Sequence, residues 1–171
     1  MIKKEEDLLE LQDEIKEKKS EVEYSQLEDT SLGTINDIQK LFPQWKRLSV
    51  IKKMKKTQQG RDLRFVATLN GEIIAHVKYE KKQGIHNHIM KITSLVVDKK
   101  HRRKGIASKL MKNSMKHLPK KIKILTLAVD SKNKVAIGLY KKLGFKKYGL
   151  LKKASLIKGK YVDNHMMKKD I

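Results

Sequence analysis

The residues of this chain best suited to chemistry run from Asp98 to Ser108. Arg102, Arg103 and Lys104 set three cations directly before Gly105, and Ile106-Ala107-Ser108 follow. Upstream, Ile92-Thr93-Ser94-Leu95-Val96-Val97 is a β-branched apolar run of strand length. Downstream, Ile106, Ala107, Leu110 and Met111 have the spacing of one helix face. A strand therefore feeds a helix through a basic, glycine-bearing turn. Glycine has no Cβ, so a ligand can come close to the backbone there. The first helical turn also carries N–H groups without intrahelical acceptors, at the positive end of the macrodipole. Such a turn suits anion binding, phosphate above all. It is not a Walker A loop, because no Gly-Lys-Ser/Thr follows, and not the dinucleotide fingerprint, which needs three glycines. The plain alternative is a turn that only connects two elements.

A second stretch, Asn133-Lys134-Val135-Ala136-Ile137-Gly138-Leu139-Tyr140-Lys141-Lys142-Leu143-Gly144-Phe145, adds to the first. Together they resemble the GNAT superfamily of N-acetyltransferases. Arg102 to Ala107 is similar to its (Gln/Arg)-x-x-Gly-x-(Gly/Ala) loop, and residues 133–145 to its Asn-x-x-Ala-x-x-Leu-Tyr-x-x-x-Gly-Phe signature. The likeness spans about residues 21–171 and is strongest over 88–148. It implies an α/β GNAT fold, with a mixed, mostly antiparallel central sheet flanked by helices, and acetyl-coenzyme A (acetyl-CoA) as cosubstrate. It implies that backbone amides of Gly105, Ile106, Ala107 and Ser108 hold the pyrophosphate, with charge from Arg102, Arg103 and Lys104. A bulge in the central strand would let main-chain groups of Leu95, Val96 and Val97 pair with the pantetheine and polarise the thioester carbonyl. Asn133 would cap its helix and touch the coenzyme. Tyr140 matches the superfamily tyrosine held near the sulfur, and a phenol can donate a proton there; the alternative is a tyrosine used only for packing.

Within the superfamily the wording is most similar to protein N-terminal acetyltransferases that resemble the ribosomal-protein alanine acetyltransferase. Those enzymes tend to carry Glu or His where this chain has Ala128, and Tyr or His where it has Lys91. Gly159-Lys160-Tyr161-Val162-Asp163 is closer to small-molecule members. No general base stands out: after Glu80 the only acids are Asp98, Asp130, Asp163 and Asp170. Asp130, Asp163, His86 and His88 are weak candidates. An α-amine with a reference pKa near 8 needs less help than a lysine amine near 10.4. The shortage of acids also argues against polycationic acceptors.

Positioning these residues takes one domain of ordinary size, 171 residues long. Leu8, Leu11, Ile15 and Val22 share a stripe, so residues 4–20 read as an amphipathic helix in an acidic arm, residues 1–20, that packs on the body over 21–171 or pairs with a second copy in a homodimer. A short strand is expected over 21–26 and a helix over 35–45 that stops at or before Pro43. Residues 64–69 and 73–79 are strands around Asn70-Gly71, the strongest short hairpin signal. Residues 89–98 form the central strand, 123–129 a parallel neighbour, 133–143 a helix, and 148–156 with 161–167 a closing hairpin.

The chain has no cysteine, so no disulfide framework or thiolate zinc site is expected, and no metal. No signal peptide or apolar span is visible, and the protein is expected to be cytoplasmic. The net charge is +22; residues 1–30 hold five Lys against eleven Asp or Glu, a net of −6 that leaves +28 on the rest. A body so basic invites nucleic acid, the ribosome or another polyanion, although no aromatic platform or recognition motif accompanies the charge. The expected activity is acetyl transfer to a primary amine, leaning to a protein or peptide N-terminus. A small-molecule amine is the alternative acceptor, and a non-catalytic acyl-CoA or nucleic-acid binding module the alternative class.

Overall fold

The computed structural model describes residues 21–157 and 159–171. The arm expected over residues 1–20, and any pairing through it, lies outside them. Seven strands, β1 (Glu23–Gln26), β2 (Asp62–Leu69), β3 (Glu72–Lys81), β4 (Ile89–Val97), β5 (Ile124–Asp130), β6 (Lys146–Ile157) and β7 (Lys160–Asp170), make one sheet in the order β1-β2-β3-β4-β5-β7-β6. All neighbours are antiparallel except β4 and β5, which run parallel. The helices are α1 (Leu32–Leu41), α2 (Arg47–Gln58), α3 (Ile106–Lys116) and α4 (Lys134–Lys142). This is the mixed, mostly antiparallel α/β sheet expected from the sequence.

Local chemistry explains the turns that matter. Asn70 and Gly71 both have positive φ, 52° and 78°, as a two-residue hairpin between right-twisted strands requires. The start of α1 is Leu32, not Ile35 as the apolar spacing suggests. Ser31 caps the helix by accepting from the Thr34 amide at 3.4 Å, and Asp29 holds the Ser31 and Thr34 hydroxyls at 2.7 Å each. The helix ends before Pro43, as expected.

Two cores sandwich the sheet. On one face α1 and α2 bury Ile38, Val50 and Met54 against Val66 and Ile73. On the other, Leu110 and Met111 of α3 and Tyr140 of α4 join Val77, Ile92, Leu127 and Met167. Each fully buried aliphatic side chain stabilises the fold by about 1.5–3 kcal/mol. Among the described residues no helix is long and apolar enough to cross a membrane.

Candidate active site

The parallel pair β4–β5 holds only from Ile89–Ile124 to Ile92–Leu127. Ser94 pairs with Lys78 and Ile92 with Tyr79, so Thr93 is an extra residue without a partner on β3. Such a bulge bends the strand and reverses its alternation. Met90 and Ile92 face the α3–α4 core before it. Beyond it Leu95 and Val97 pack on that side, and Val96 turns to the α1–α2 core. Meanwhile β5 stays with β7 as far as Asp130–Asn164. The two strands therefore part.

Beyond the parting lies a cleft of about 690 Å³, within the usual range for ligand sites. The amide of Asp98 donates to the Ile74 carbonyl at 2.8 Å. By the alternation of an antiparallel ladder, the polar groups of Val96 then face β3 and those of Leu95 and Val97 face the cleft. The Val97 carbonyl already accepts from Arg102 Nε at 3.0 Å, which leaves the Leu95 groups and the Val97 N–H.

At the far end of the strand, Asp98 caps a short 3₁₀ turn, Lys99–His101, by accepting from the Lys100 amide at 2.8 Å. Arg103 and Gly105 both sit in the left-handed region, at φ 66° and 77°. A Cβ built on Gly105 would meet no atom within 4 Å, so this side of the backbone opens on free space. The first backbone bond of α3 is Lys109 N–H to the Gly105 carbonyl at 3.0 Å. Among the described residues the amides of Ile106, Ala107 and Ser108 have no acceptor, and Gly105 supplies no side-chain cap. These unsatisfied donors beside an open glycine fit a pyrophosphate.

The opposite wall is α4. Asn133 caps it, its Oδ1 accepting from the Ala136 amide at 3.0 Å. Tyr140 is only 8% exposed, and its ring meets Phe145 edge-on at 5.8 Å. Burial pushes its phenol up to about 12, so it stays protonated at neutral pH. A family model described as the acetyltransferase (GNAT) family matches residues 30–145. The chain belongs to the acetyltransferase (GNAT) family.

An L-amino acid N-acetyltransferase of Escherichia coli is 31% identical over 106 residues, 60% of this chain and 64% of that protein. An N-alpha-acetyltransferase of Sulfurisphaera tokodaii is 33% identical over 98 residues, 52% of this chain and 59% of that protein. The match thus spans less than two thirds of either relative. In fold, the crystal structure of a ribosomal-protein-alanine N-acetyltransferase from Brucella melitensis superposes with a TM-score of 0.76 at 15% identity, over 88% of this chain and 99% of that one.

Within this GNAT domain Leu95, Val96, Val97, Arg102, Arg103, Gly105, Ile106, Ala107, Ser108, Asn133 and Tyr140 all line the cleft. Lys104, between Arg103 and Gly105, is exposed and stands outside the cleft wall. Arg102 is spent partly on bracing Val97. Sequence reasoning missed His101, Val135, Ala136 and Leu139. Val135–Leu139 and Ala136–Tyr140 are both i,i+4 pairs, so the helix period already put them beside Tyr140.

The four base candidates fare poorly. His86 and His88 lie on the β3–β4 connection, at the other end of β4 from the cleft. Asp130 accepts from the Lys132 amide and Asp163 from the Lys153 amide, each at 2.8 Å, so one carboxylate holds the turn after β5 and the other the irregular stretch of β6. Among the described residues no Asp or Glu lines the cleft.

A buried polar network behind the cleft was not foreseen. Arg64 and His76, both 0% exposed, meet at 3.1 Å, and because Arg only donates, His76 Nε2 accepts. Arg64 also donates to Thr57 at 2.6 Å and faces Asp62 at 3.3 Å, which ties α2 to β2. His76 Nδ1 has no partner among the described residues.

Proposed function

We propose that the protein carries the acetyl group of acetyl-CoA to an α-amine, leaning to the N-terminus of a protein or peptide. The observation that carries this reading is the parting of β4 from β5 beside unsatisfied amides on one side and a protonated, nearly buried phenol on the other. The amides of Ile106 to Ser108, with Arg103, would hold the pyrophosphate. The free main-chain groups of Leu95 and Val97 would align the pantetheine arm as an added strand does, and one of the N–H groups would stabilise the oxyanion.

In the reaction the amine nitrogen bonds to the thioester carbon and the C–S bond breaks. A phenol near 12 does not give its proton outright to a thiolate near 8.5, an uphill step of roughly 5 kcal/mol. Tyr140 instead donates a hydrogen bond to the sulfur as charge develops, and the surplus amine proton makes the thiol. Among the described residues no carboxylate lines the cleft to take up the amine proton, so on this reading the amine arrives largely neutral. At pH 7.5 about a quarter of an α-amine is neutral, against roughly one part in a thousand for a lysine. That difference favours α-amines. The two relatives support it, one by its name acting on L-amino acids and the other named for N-alpha acetylation. The first of these also supports a free L-amino acid as second reading.

The test is thiol release from acetyl-CoA with peptides and with L-amino acids as acceptors, read by a thiol reagent. Acceptor-dependent release is expected. Binding of acetyl-CoA without release on any acceptor would support a non-catalytic acyl-CoA binding module instead.

A further inference from the structure

One row of residues crosses six strands on the sheet face opposite α3 and α4. Asp62 pairs with Glu80, Glu80 with Lys91, Lys91 with Thr126, Thr126 with Lys168, and Lys168 with Lys146. Their sequence neighbours Tyr79, Ile92, Leu127 and Met167 all point into the α3–α4 core, which fixes the side of the row. Helices α1 and α2 cover this face over Val66, Ile73 and Val96. Among the described residues nothing covers it on β5, where Ala128 is exposed.

Charge changes sign along the row. Asp62 is held by Arg64 and by Lys78 at 3.5 Å, and Glu80 by Lys78 at 2.5 Å, so both acids are occupied. Lys91 has no carboxylate partner among the described residues. Lys168 reaches only the exposed Asp170, at 3.4 Å. Both lysines are half-buried and flank Thr126 on adjacent strands. Their backbones stand about 10 Å apart, twice the strand spacing, so their flexible stems can converge above the threonine. Thr126 is two residues, about 7 Å, before Ala128, where β5 has left β4. The cleft side of the parting belongs to the α3 and α4 walls, so the acceptor comes in over this open face, with its amine at the parting and the rest of it within reach of the lysines.

We propose that Lys91 and Lys168, with Thr126 between them, bind a carboxylate of the acceptor. The proposal rests on the α-amine reading. The carboxylate is either an acidic side chain at the start of a peptide or the α-carboxylate of a free amino acid, and the same two lysines serve both.

The experiment compares kcat/KM at low salt within two pairs: a C-terminally amidated peptide beginning with Glu against one beginning with Gln, and L-leucine against L-leucinamide. In at least one pair the carboxylate member should win by about fivefold, the upper range for a partly exposed ion pair. The winning pair names the source. Lys91→Gln and Lys168→Gln should each bring the ratio toward one with the neutral member unchanged, and Lys168→Glu should invert it. Lys116→Gln, on the exposed end of α3, should leave it alone. Transfer to neutral acceptors with equal rates inside both pairs would overturn the subsite, as would an equal effect of Lys116→Gln. No transfer to any of the four acceptors would overturn the α-amine reading and the subsite with it.

Discussion

Arg102 Nε donates to the Val97 carbonyl at 3.0 Å, which ties the basic turn back to the last residue of the bulged strand. The bond sets the spacing between the unsatisfied amides of α3 and the free main-chain groups of β4. Arg102→Met keeps the stem and removes the tie. Affinity for acetyl-CoA should fall about five- to tenfold by calorimetry, the size of an ordinary net hydrogen bond at an exposed side chain, with the melting temperature nearly unchanged. An unaltered Kd would leave Arg102 with no part in the site.

Gly105 combines a φ of 77° with empty space beside it. Gly105→Val adds bulk where the pyrophosphate is to lie and a β-branched residue in the left-handed region, at a cost of about 1–3 kcal/mol to the fold. Binding of acetyl-CoA should be lost while the circular dichroism spectrum keeps its native form. A folded variant that still binds would contradict the pyrophosphate assignment.

Tyr140→Phe retains the contact with Phe145 and deletes the donor. We expect kcat to drop roughly tenfold or more, as for loss of a hydrogen bond to charge that develops in the transition state, with acetyl-CoA affinity little changed. A wild-type kcat would return Tyr140 to a packing role.

His76 predicts a pH dependence of stability. Burial foremost, and then the positive Arg64 and Lys78, hold its imidazole well below the ordinary histidine value. The folded state therefore stays unprotonated where the unfolded chain takes up a proton. Stability from this residue is complete above about pH 6.5 and is lost as pH falls below it, by at most about 1.4 kcal/mol per pH unit. Urea midpoints at pH 7.5, 6.5 and 5.5 should fall more steeply in the wild type than in His76→Gln, which still accepts from Arg64. Parallel curves would rule His76 out as the cause.

The site was largely legible because its signals are local. A glycine after three cations is read in four residues, an asparagine cap and a tyrosine within two turns of one helix, and Asn70-Gly71 declares its hairpin in two residues. What escaped depends on distant partners. Helix α2 buries only Val50 and Met54 and is otherwise rich in lysine, so no apolar stripe announces it. The bulge at Thr93 cannot be located within the run from Ile92 to Val97, because only register with β3 shows which residue is extra. Arg64 and His76 carry no local sign of burial, because Thr57 and the rest of α2, which enclose them, come from another part of the fold. Lys91, Thr126 and Lys168 come together only through the strand order.

The most direct test of α-amine acetylation at the parted strands is the position of the acetyl group on a peptide that offers two choices. A peptide with a free N-terminus and one internal lysine is incubated with acetyl-CoA and the enzyme, and the product is fragmented in a mass spectrometer. The account predicts acetyl on the α-nitrogen, with Tyr140→Phe forming it at least about tenfold more slowly. Acetyl on the lysine ε-nitrogen, at a rate that matches or exceeds the α-position, would contradict it.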